Sequence, residues 1–212
     1  MKSFDTSIRL AFFALFVFLT IQGKMTLWLL LFALSLPAAA LFGRLYCGYV
    51  CPIHTVMRPV STLSSRRGWQ KSSAPRFLSN KALPWAALAI SVTATVIARR
   101  TFQLTLPLLP FWIAAGALTA LFFRPEVFHN RICPFGVLQK IFGRFVRSAR
   151  QVDPAACIRC GLCEKACQTD AVHLSGAGGT AEIDAASCHQ CRDCTAACPV
   201  KAIAKRKRNA RQ

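Results

Sequence analysis

The sequence predicts an α-helical membrane domain with four transmembrane helices in residues 1–150, followed by a small α+β domain in residues 151–212. Three observations lead to this prediction. Not one Asp or Glu lies between Thr6 and Pro125, and four long apolar runs fall in that stretch. Eight of the 11 cysteines follow Val152. They lie in a tail that is too short to fold stably on hydrophobic burial alone.

The four apolar runs have the composition of membrane helices. They cover residues 8–21, 25–42, 83–98 and 104–123. A transmembrane helix needs about 20 residues, so the first and third runs are short. We expect Arg9 and Arg99 to snorkel to the membrane surface, or the bilayer to thin locally. Buried helices of a soluble protein are the alternative, which the lack of acidic residues disfavours.

The basic residues predict the orientation in the membrane. The loop between the second and third runs carries seven Lys and Arg residues, whereas the opposite side carries only Lys24, Arg99 and Arg100. The positive-inside rule therefore places both termini and the cysteine-rich tail on the cytoplasmic side of a multi-pass inner-membrane protein. A cleaved signal peptide is the alternative at "PAAALFG". However, two apolar runs precede that site, so we expect uncleaved spans.

The net charge of +19 would ordinarily suggest nucleic-acid binding. Most basic residues flank the apolar runs instead, so we predict a membrane protein without a nucleic-acid partner. The basic end "KRKRNARQ" suits anionic lipid or an acidic redox partner.

The tail contains the spacing C-x2-C-x2-C-x3-C twice, beginning at Cys157 and Cys188. This is the bacterial spacing for 4Fe–4S clusters, in which the fourth cysteine of each run ligates the other cluster. Structural zinc sites use separated pairs, and disulfides are rare in the cytoplasm, so two 4Fe–4S clusters are predicted. The predicted ligands are Cys157, Cys160, Cys163 and Cys198 for the first cluster, and Cys188, Cys191, Cys194 and Cys167 for the second.

Short strands are predicted between and after the cysteine runs. "DAVHL" and "AEIDAASC" have the pattern of a β-hairpin with "SGAGG" as its turn. A further short apolar strand should follow "CPVKAI", and Gly161 should permit the loop at the first cluster.

Two Cys-Pro motifs follow the second and fourth apolar runs and indicate a weak internal repeat. Each run ends in Leu-Phe-x-Arg and reaches a Cys-Pro within ten residues. In a helical turn, residues four apart share a face, so each motif could supply two ligands to a third redox centre. The candidate ligands are Cys47, Cys51, Cys133 and His129, with His54 in reserve. Buried hydrophobic cysteines and a hydrogen-bonded histidine are the alternative.

Residues 153–204 resemble a two-cluster bacterial ferredoxin domain, which implies a pseudo-symmetric pair of strand–helix–strand units. Gln168 stands where that family usually has proline. Together with the apolar runs, the chain resembles the membrane polyferredoxin family of NapH, NosR, MauN and CcoG. The family's paired Cys-x3-Cys-Pro motifs map onto Cys47, Cys51 and Cys133, with His129 replacing the first cysteine of the second motif.

The sequence has no dinucleotide fingerprint, Walker A motif, c-type haem motif or paired carboxylates. We therefore expect an electron-transfer subunit of an oxidoreductase system rather than a stand-alone enzyme. The resemblance implies transfer between the quinol pool, or a membrane redox partner, and a cytoplasmic or periplasmic redox protein. It also allows a maturation factor that supplies electrons or reduces a metal for a metalloenzyme. A structural anchor, whose clusters only stabilise the tail, is the third reading.

Overall fold

The computed structural model describes residues 2–70, 75, 78, 80, 82–101, 103, 107–176 and 179–207. The chain forms two compact units, Met1–Cys51 with Gln139–Gln212, and Pro52–Leu138. This division differs from the boundary that the sequence suggests at residue 150. Four of the predicted features lie partly or wholly outside the described residues. These are parts of the predicted linker (71–74, 76, 77, 79 and 81), the start of the fourth run (104–106), the centre of the hairpin turn (177–178) and the basic end (208–212).

The first unit begins with two apolar helices, α1 (Lys2–Ile21) and α2 (Met25–Phe42). Helix α1 starts six residues before the predicted run. Both helices are long and apolar enough to cross a membrane, and most of their side chains are exposed. Ile21 is 79% exposed and Leu34 is 65% exposed, far above what a helix in a soluble core would show. These two helices are the candidate membrane spans in the described part of the chain.

A π-helical turn (Tyr46–Val50) follows α2 and is joined to both helices. The Phe32 and Tyr46 rings meet edge to face at 5.2 Å, and Arg9 of α1 donates from Nε to the Gly48 carbonyl at 2.9 Å. π-helical turns are rare and are often associated with functional sites.

The rest of the first unit is a small α+β domain with two strand–helix–strand repeats. Its elements are β1 (Ser148–Val152), α8 (Leu162–Ala166), β2 (Val172–Leu174), β3 (Ala181–Ile183), α9 (Asp193–Ala197) and β4 (Ile203–Lys207). Strand β1 pairs with β4, and β2 pairs with β3, both antiparallel. The predicted hairpin is confirmed. A final strand is also present, but its sequence "IAKRK" is mostly basic rather than apolar as predicted. Strand β1 was not predicted, because "SARQV" lacks alternating apolar residues and is defined by its pairing with β4.

The second unit contains α3 (Pro52–Arg66), α4 (Leu83–Thr101), α5 (Leu108–Phe122), α6 (Pro125–Arg131) and the start of α7 (Pro134–Gly143). Helix α3 packs closely on α5, where a Cβ on Gly116 would lie 2.8 Å from Ile53 Cγ2. Trp112 Nε1 donates to Ser91 Oγ at 3.2 Å, which satisfies polar groups on α4 and α5. Helix α5 has 15 residues and is shorter than the predicted run.

Both Cys-Pro motifs precede a helix that the sequence did not predict. Pro52 and Pro134 are the first residues of α3 and α7. Proline is favoured at this position, because its fixed φ suits a helix and its missing N–H is not needed there. Helix α3 continues to Arg66, so the predicted irregular linker, which begins at residue 64, starts as helix.

Candidate metal centres

The first group of cysteines surrounds one cavity in the α+β domain. Cys157 and Cys160 lie on the loop before α8, Cys163 lies within α8, and Cys198 follows α9. All four line a cavity with about 330 Å³ of empty space, together with apolar side chains such as Leu174 and Ile203. Four thiols around an otherwise apolar cavity form a soft ligand set that suits an iron–sulfur cluster.

The loop around this cavity depends on two residues with left-handed backbone conformations. Arg159 has φ of +59° and Gly161 has φ of +71°. These conformations turn backbone N–H groups inward, and the N–H groups of Ala181 and Arg159 lower the pKa of the Cys157 thiol. Hydrogen bonds of this kind favour the thiolate form that binds metal.

The second loop repeats this geometry 31 residues later. Gln190 and Arg192 have φ of +56° and +67°, at the positions equivalent to Arg159 and Gly161. Of these four positions, only Gly161 can be recognised from the sequence, because the other three residue types rarely adopt this conformation. Gln168 is equivalent to Pro199, and both follow the cysteine that ends a short helix.

The second group combines Cys188, Cys191 and Cys194 with Cys167 from the first run. The pKa of Cys194 is raised to about 12, mainly by burial and in smaller part by negative charge on Cys188 and Cys167. Burial also raises the pKa of Cys188, and negative charge on Cys167 raises it as well. The structure therefore brings Cys167 to this group. Because metal binding requires thiolates, loading this site must release protons.

Backbone N–H groups also point at the sulfurs of the second group. Ala171 N–H donates to Cys167 Sγ at 3.3 Å, and Gln190 N–H donates to Cys188 Sγ at 3.4 Å. Such hydrogen bonds stabilise an anionic cluster and help to determine its reduction potential.

Two buried arginines lie beside the second group. Arg44 is 1% exposed and donates towards the Ser187 carbonyl at 3.5 Å, and Arg150 is 8% exposed and donates to Thr195 Oγ1 at 3.0 Å. Within the described residues, neither guanidinium forms an ion pair with a carboxylate. Because arginine stays cationic in proteins, an anionic cluster at this site would supply the counter-charge.

The π-helical turn holds the second loop by several contacts within the first unit. Tyr49 donates to the Gln190 carbonyl at 3.4 Å, and Arg9 donates to the Cys191 carbonyl at 3.3 Å. Gly48 lies so close to the carbonyl oxygen of His189 that an added Cβ would overlap it. The contact between Gly48 and His189 was not predicted from the sequence. Its one local signal is the glycine inside "YCGYVCP", because glycine permits the close approach of another backbone.

The candidate ligands of the third centre occupy different units. Cys47 and Cys51 are buried at the π-helical turn of the first unit, where Arg44 Nη2 lies 3.8 Å from Cys47 Sγ. His129 and Cys133 are buried in the second unit, at α6 and just after it. There His129 Nε2 lies 3.2 Å from His54 Nδ1, so the reserve histidine is a direct neighbour of His129.

The protein families that match this chain agree with the arrangement of its cysteines. The family described as "4Fe-4S dicluster domain" matches residues 156–202, which include both cysteine groups. The family described as "4Fe-4S binding domain" matches residues 25–70 and again residues 105–152. The chain therefore contains ferredoxin-type 4Fe–4S domains. The double match also confirms the predicted internal repeat, since each matched stretch contains one Cys-Pro motif.

Two curated relatives resemble this ferredoxin-type protein. An uncharacterised protein of Methanocaldococcus jannaschii, MJ0749, is 27% identical over 140 residues, which cover 63% of this chain and 55% of the relative. The methylamine utilization ferredoxin-type protein MauN of Paracoccus denitrificans is 29% identical over 141 residues, which cover 59% and 48%. The chain thus spans about half the length of the curated relatives it matches.

The donor set of the ferredoxin-type protein fits two 4Fe–4S clusters. Each cysteine group provides four sulfurs and backbone N–H groups directed at sulfur, and the first group also lines a largely apolar cavity. When bound, the clusters supply one-electron redox chemistry, and the protein supplies ligands, hydrogen bonds and charge.

The buried arginines predict unequal potentials for the two clusters. Replacing Arg150 with glutamine keeps a donor for Thr195 but removes a buried positive charge next to Cys188 and Cys194. We expect the midpoint potential of the second cluster to fall by about 60 mV, roughly a tenfold change in a one-electron equilibrium. Redox titration followed by electron paramagnetic resonance measures this shift.

Arg206→Gln is the matched control for this prediction, because Arg206 lies on the partner strand β4 with its side chain 51% exposed and paired with Asp153. Its removal should leave both potentials unchanged, since water screens exposed charges. Equal shifts of both clusters in Arg150→Gln would contradict a local effect of the charge.

Proposed function

We propose that this protein is a multi-pass inner-membrane electron-transfer subunit that relays single electrons between the quinol pool, or a membrane redox partner, and a soluble redox enzyme. The observation that carries the proposal is the attachment of the second cysteine loop to the π-helical turn after the apolar helices. This places a predicted cluster loop on the segment that directly follows the candidate membrane spans.

We infer crossed ligation of the two clusters. In this arrangement Cys198 completes the first cluster with Cys157, Cys160 and Cys163, and Cys167 completes the second with Cys188, Cys191 and Cys194. The shared cavity of the first four cysteines supports this assignment, as does the influence of Cys167 on Cys188 and Cys194. Crossed ligation also suits the bacterial spacing.

We propose four membrane spans, with both termini and the α+β domain in the cytoplasm. Helices α1 and α2 support two of these spans by length and hydropathy. Exposed apolar side chains on α4 and α5, such as Ile90 and Leu118, support the other two. The seven basic residues between the second and third runs support the cytoplasmic orientation.

The face around the first cysteine group suits a soluble redox partner. Ile158 and Val200 are exposed at the cavity, and Cys160 itself is exposed. The exposed cations Arg159 and Lys165 lie beside them. An apolar patch with a basic edge favours a partner with an acidic surface, because opposite charges steer association.

A maturation factor for a metalloenzyme is the second candidate function. It uses the same electron path but supplies electrons for metal reduction or assembly. The name of the relative MauN refers to methylamine utilization, which leaves both roles open to this chain. A deletion strain separates them, since loss of metal from the client enzyme, with its electron supply intact, would favour maturation.

We also retain the third redox centre, with Cys47, Cys51, Cys133 and His129 as ligands, as a proposal from the spacing of the Cys-Pro motifs. The burial of all four side chains supports it, because buried thiols and imidazoles are frequent metal ligands.

Quinol titration of the purified protein tests the electron-transfer role. Oxidation of one quinol to quinone releases two electrons and two protons, and two clusters together accept two electrons while the protons pass to water. We therefore expect one equivalent of quinol to bleach the visible absorbance of both clusters under anaerobic conditions. Clusters that stay oxidised with every quinol and with reduced soluble ferredoxin would contradict the role.

A further inference from the structure

An apolar crevice lies inside the first unit, between α1, α2 and the π-helical turn. Its volume is about 330 Å³, at the lower end of the range of small-molecule sites. Its walls include Phe12 of α1, Leu31 and Ser35 of α2, and Tyr46 and Tyr49 of the turn. Aromatic rings and three hydroxyl-bearing side chains within an otherwise apolar lining suit a flat, aromatic ligand with polar ends.

Among the described residues, the hydroxyl group of Ser35 has one hydrogen-bonding position left. It donates to the Phe32 carbonyl at 2.6 Å and accepts from Gln139 Nε2 at 2.6 Å. A serine hydroxyl has one donor and two acceptor positions, so one lone pair of Ser35 can still accept. Gln139 is fully buried, and its amide holds Ser35 in this orientation.

Tyr49 offers a second acceptor on the other wall of the crevice. Its hydroxyl donates to the carbonyl of Gln190 at 3.4 Å, so its oxygen lone pairs can accept a hydrogen bond. Gln190 lies between Cys188 and Cys191. A ligand bound to Tyr49 would therefore be one side chain away from the loop of the second cysteine group.

We propose that this crevice binds the aromatic headgroup of a membrane quinol, with Ser35 and Tyr49 accepting hydrogen bonds from its hydroxyl groups. The proposal rests on the proposed electron-transfer function and identifies where that function takes its substrate. A lipid acyl chain would also fill apolar space. However, it would leave the Ser35 acceptor and the tyrosine hydroxyl without a ligand partner, so the polar groups favour a quinol.

Photolabelling of the full-length protein in detergent tests the proposal. An azido-benzoquinone should label peptides of α1, α2 and the π-helical turn, and decylubiquinol should protect them better than decylubiquinone. Leu31→Trp fills the crevice and should weaken protection at least tenfold. Leu34→Trp is the matched control, because Leu34 on the same helix is 65% exposed and does not line the crevice.

Ser35→Ala provides a milder second variant that should weaken quinol protection about three- to tenfold, the effect of one hydrogen bond. Iron content and circular dichroism show whether each variant folds. Unchanged protection in both variants, with clusters still reduced by quinol, would overturn the pocket but not the electron-transfer role. Quinol-protected labelling without cluster reduction would support the pocket and overturn that role. Protection by phospholipid alone would identify a lipid site and overturn the proposal.

Discussion

Replacing Gly48 with alanine is expected to detach the second cysteine loop from the π-helical turn and to destabilise its cluster. The new Cβ would overlap the backbone oxygen of His189, and a backbone atom cannot move aside as a flexible side chain can. We expect a destabilisation of about 2–3 kcal/mol, the upper part of the range for overpacked sites. The electron paramagnetic resonance signal of the second cluster should weaken or disappear, whereas that of the first should remain.

The effect cannot come from the local backbone preference of Gly48. The residue lies in a helical turn, where alanine is intrinsically favoured over glycine by about 1 kcal/mol. Gly68→Ala provides the control, because its φ of +69° disfavours alanine but no atom of a described residue lies within 4 Å of the added Cβ. A Gly48→Ala protein with normal signals, and with normal hydrogen exchange in residues 187–191, would contradict the contact.

Paired cysteine substitutions are expected to reveal which cysteines share a cluster. The wild-type protein should carry eight iron atoms in its two clusters. Cys157→Ser and Cys198→Ser should each lose about four, because each removes one ligand of the first cluster. Under crossed ligation, the double variant with both Cys157→Ser and Cys198→Ser should lose no more iron than either single variant does.

The complementary double variant distinguishes the two ligation schemes. Cys157→Ser with Cys167→Ser should lose nearly all iron, because each substitution removes a ligand from a different cluster. Ligation within each run would reverse these outcomes, so that Cys157→Ser with Cys167→Ser keeps about four irons. Anaerobic purification followed by iron analysis and electron paramagnetic resonance provides the measurement.

The same iron count tests the third redox centre. An iron centre there raises the wild-type count above eight, and Cys51→Ala or Cys133→Ala lowers it to eight. A count that stays at eight in all three proteins would contradict iron at this set.

Cysteine spacing was sufficient to predict the cluster type, because ligand number and loop length are local properties of the chain. Apolar periodicity likewise predicted α1, α2 and the short hairpin, since these elements follow from local composition and turn chemistry. The helix α3 was missed, because its mixed composition gives no long apolar run and its start depends on Pro52. The predicted membrane helices α4 and α5 have the expected positions, but α5 is shorter than the predicted run.

By itself, the sequence determined a ferredoxin-type iron–sulfur protein with an apolar, basic N-terminal region. Only the tertiary structure showed that the π-helical turn holds the second cysteine loop, that Arg44 and Arg150 are buried beside it, and that a crevice opens between α1 and α2. The physical reason is sequence separation. Gly48 and His189 are far apart along the chain, and a glycine at position 48 does not indicate which segment packs against it, so their contact exists only once both segments are folded.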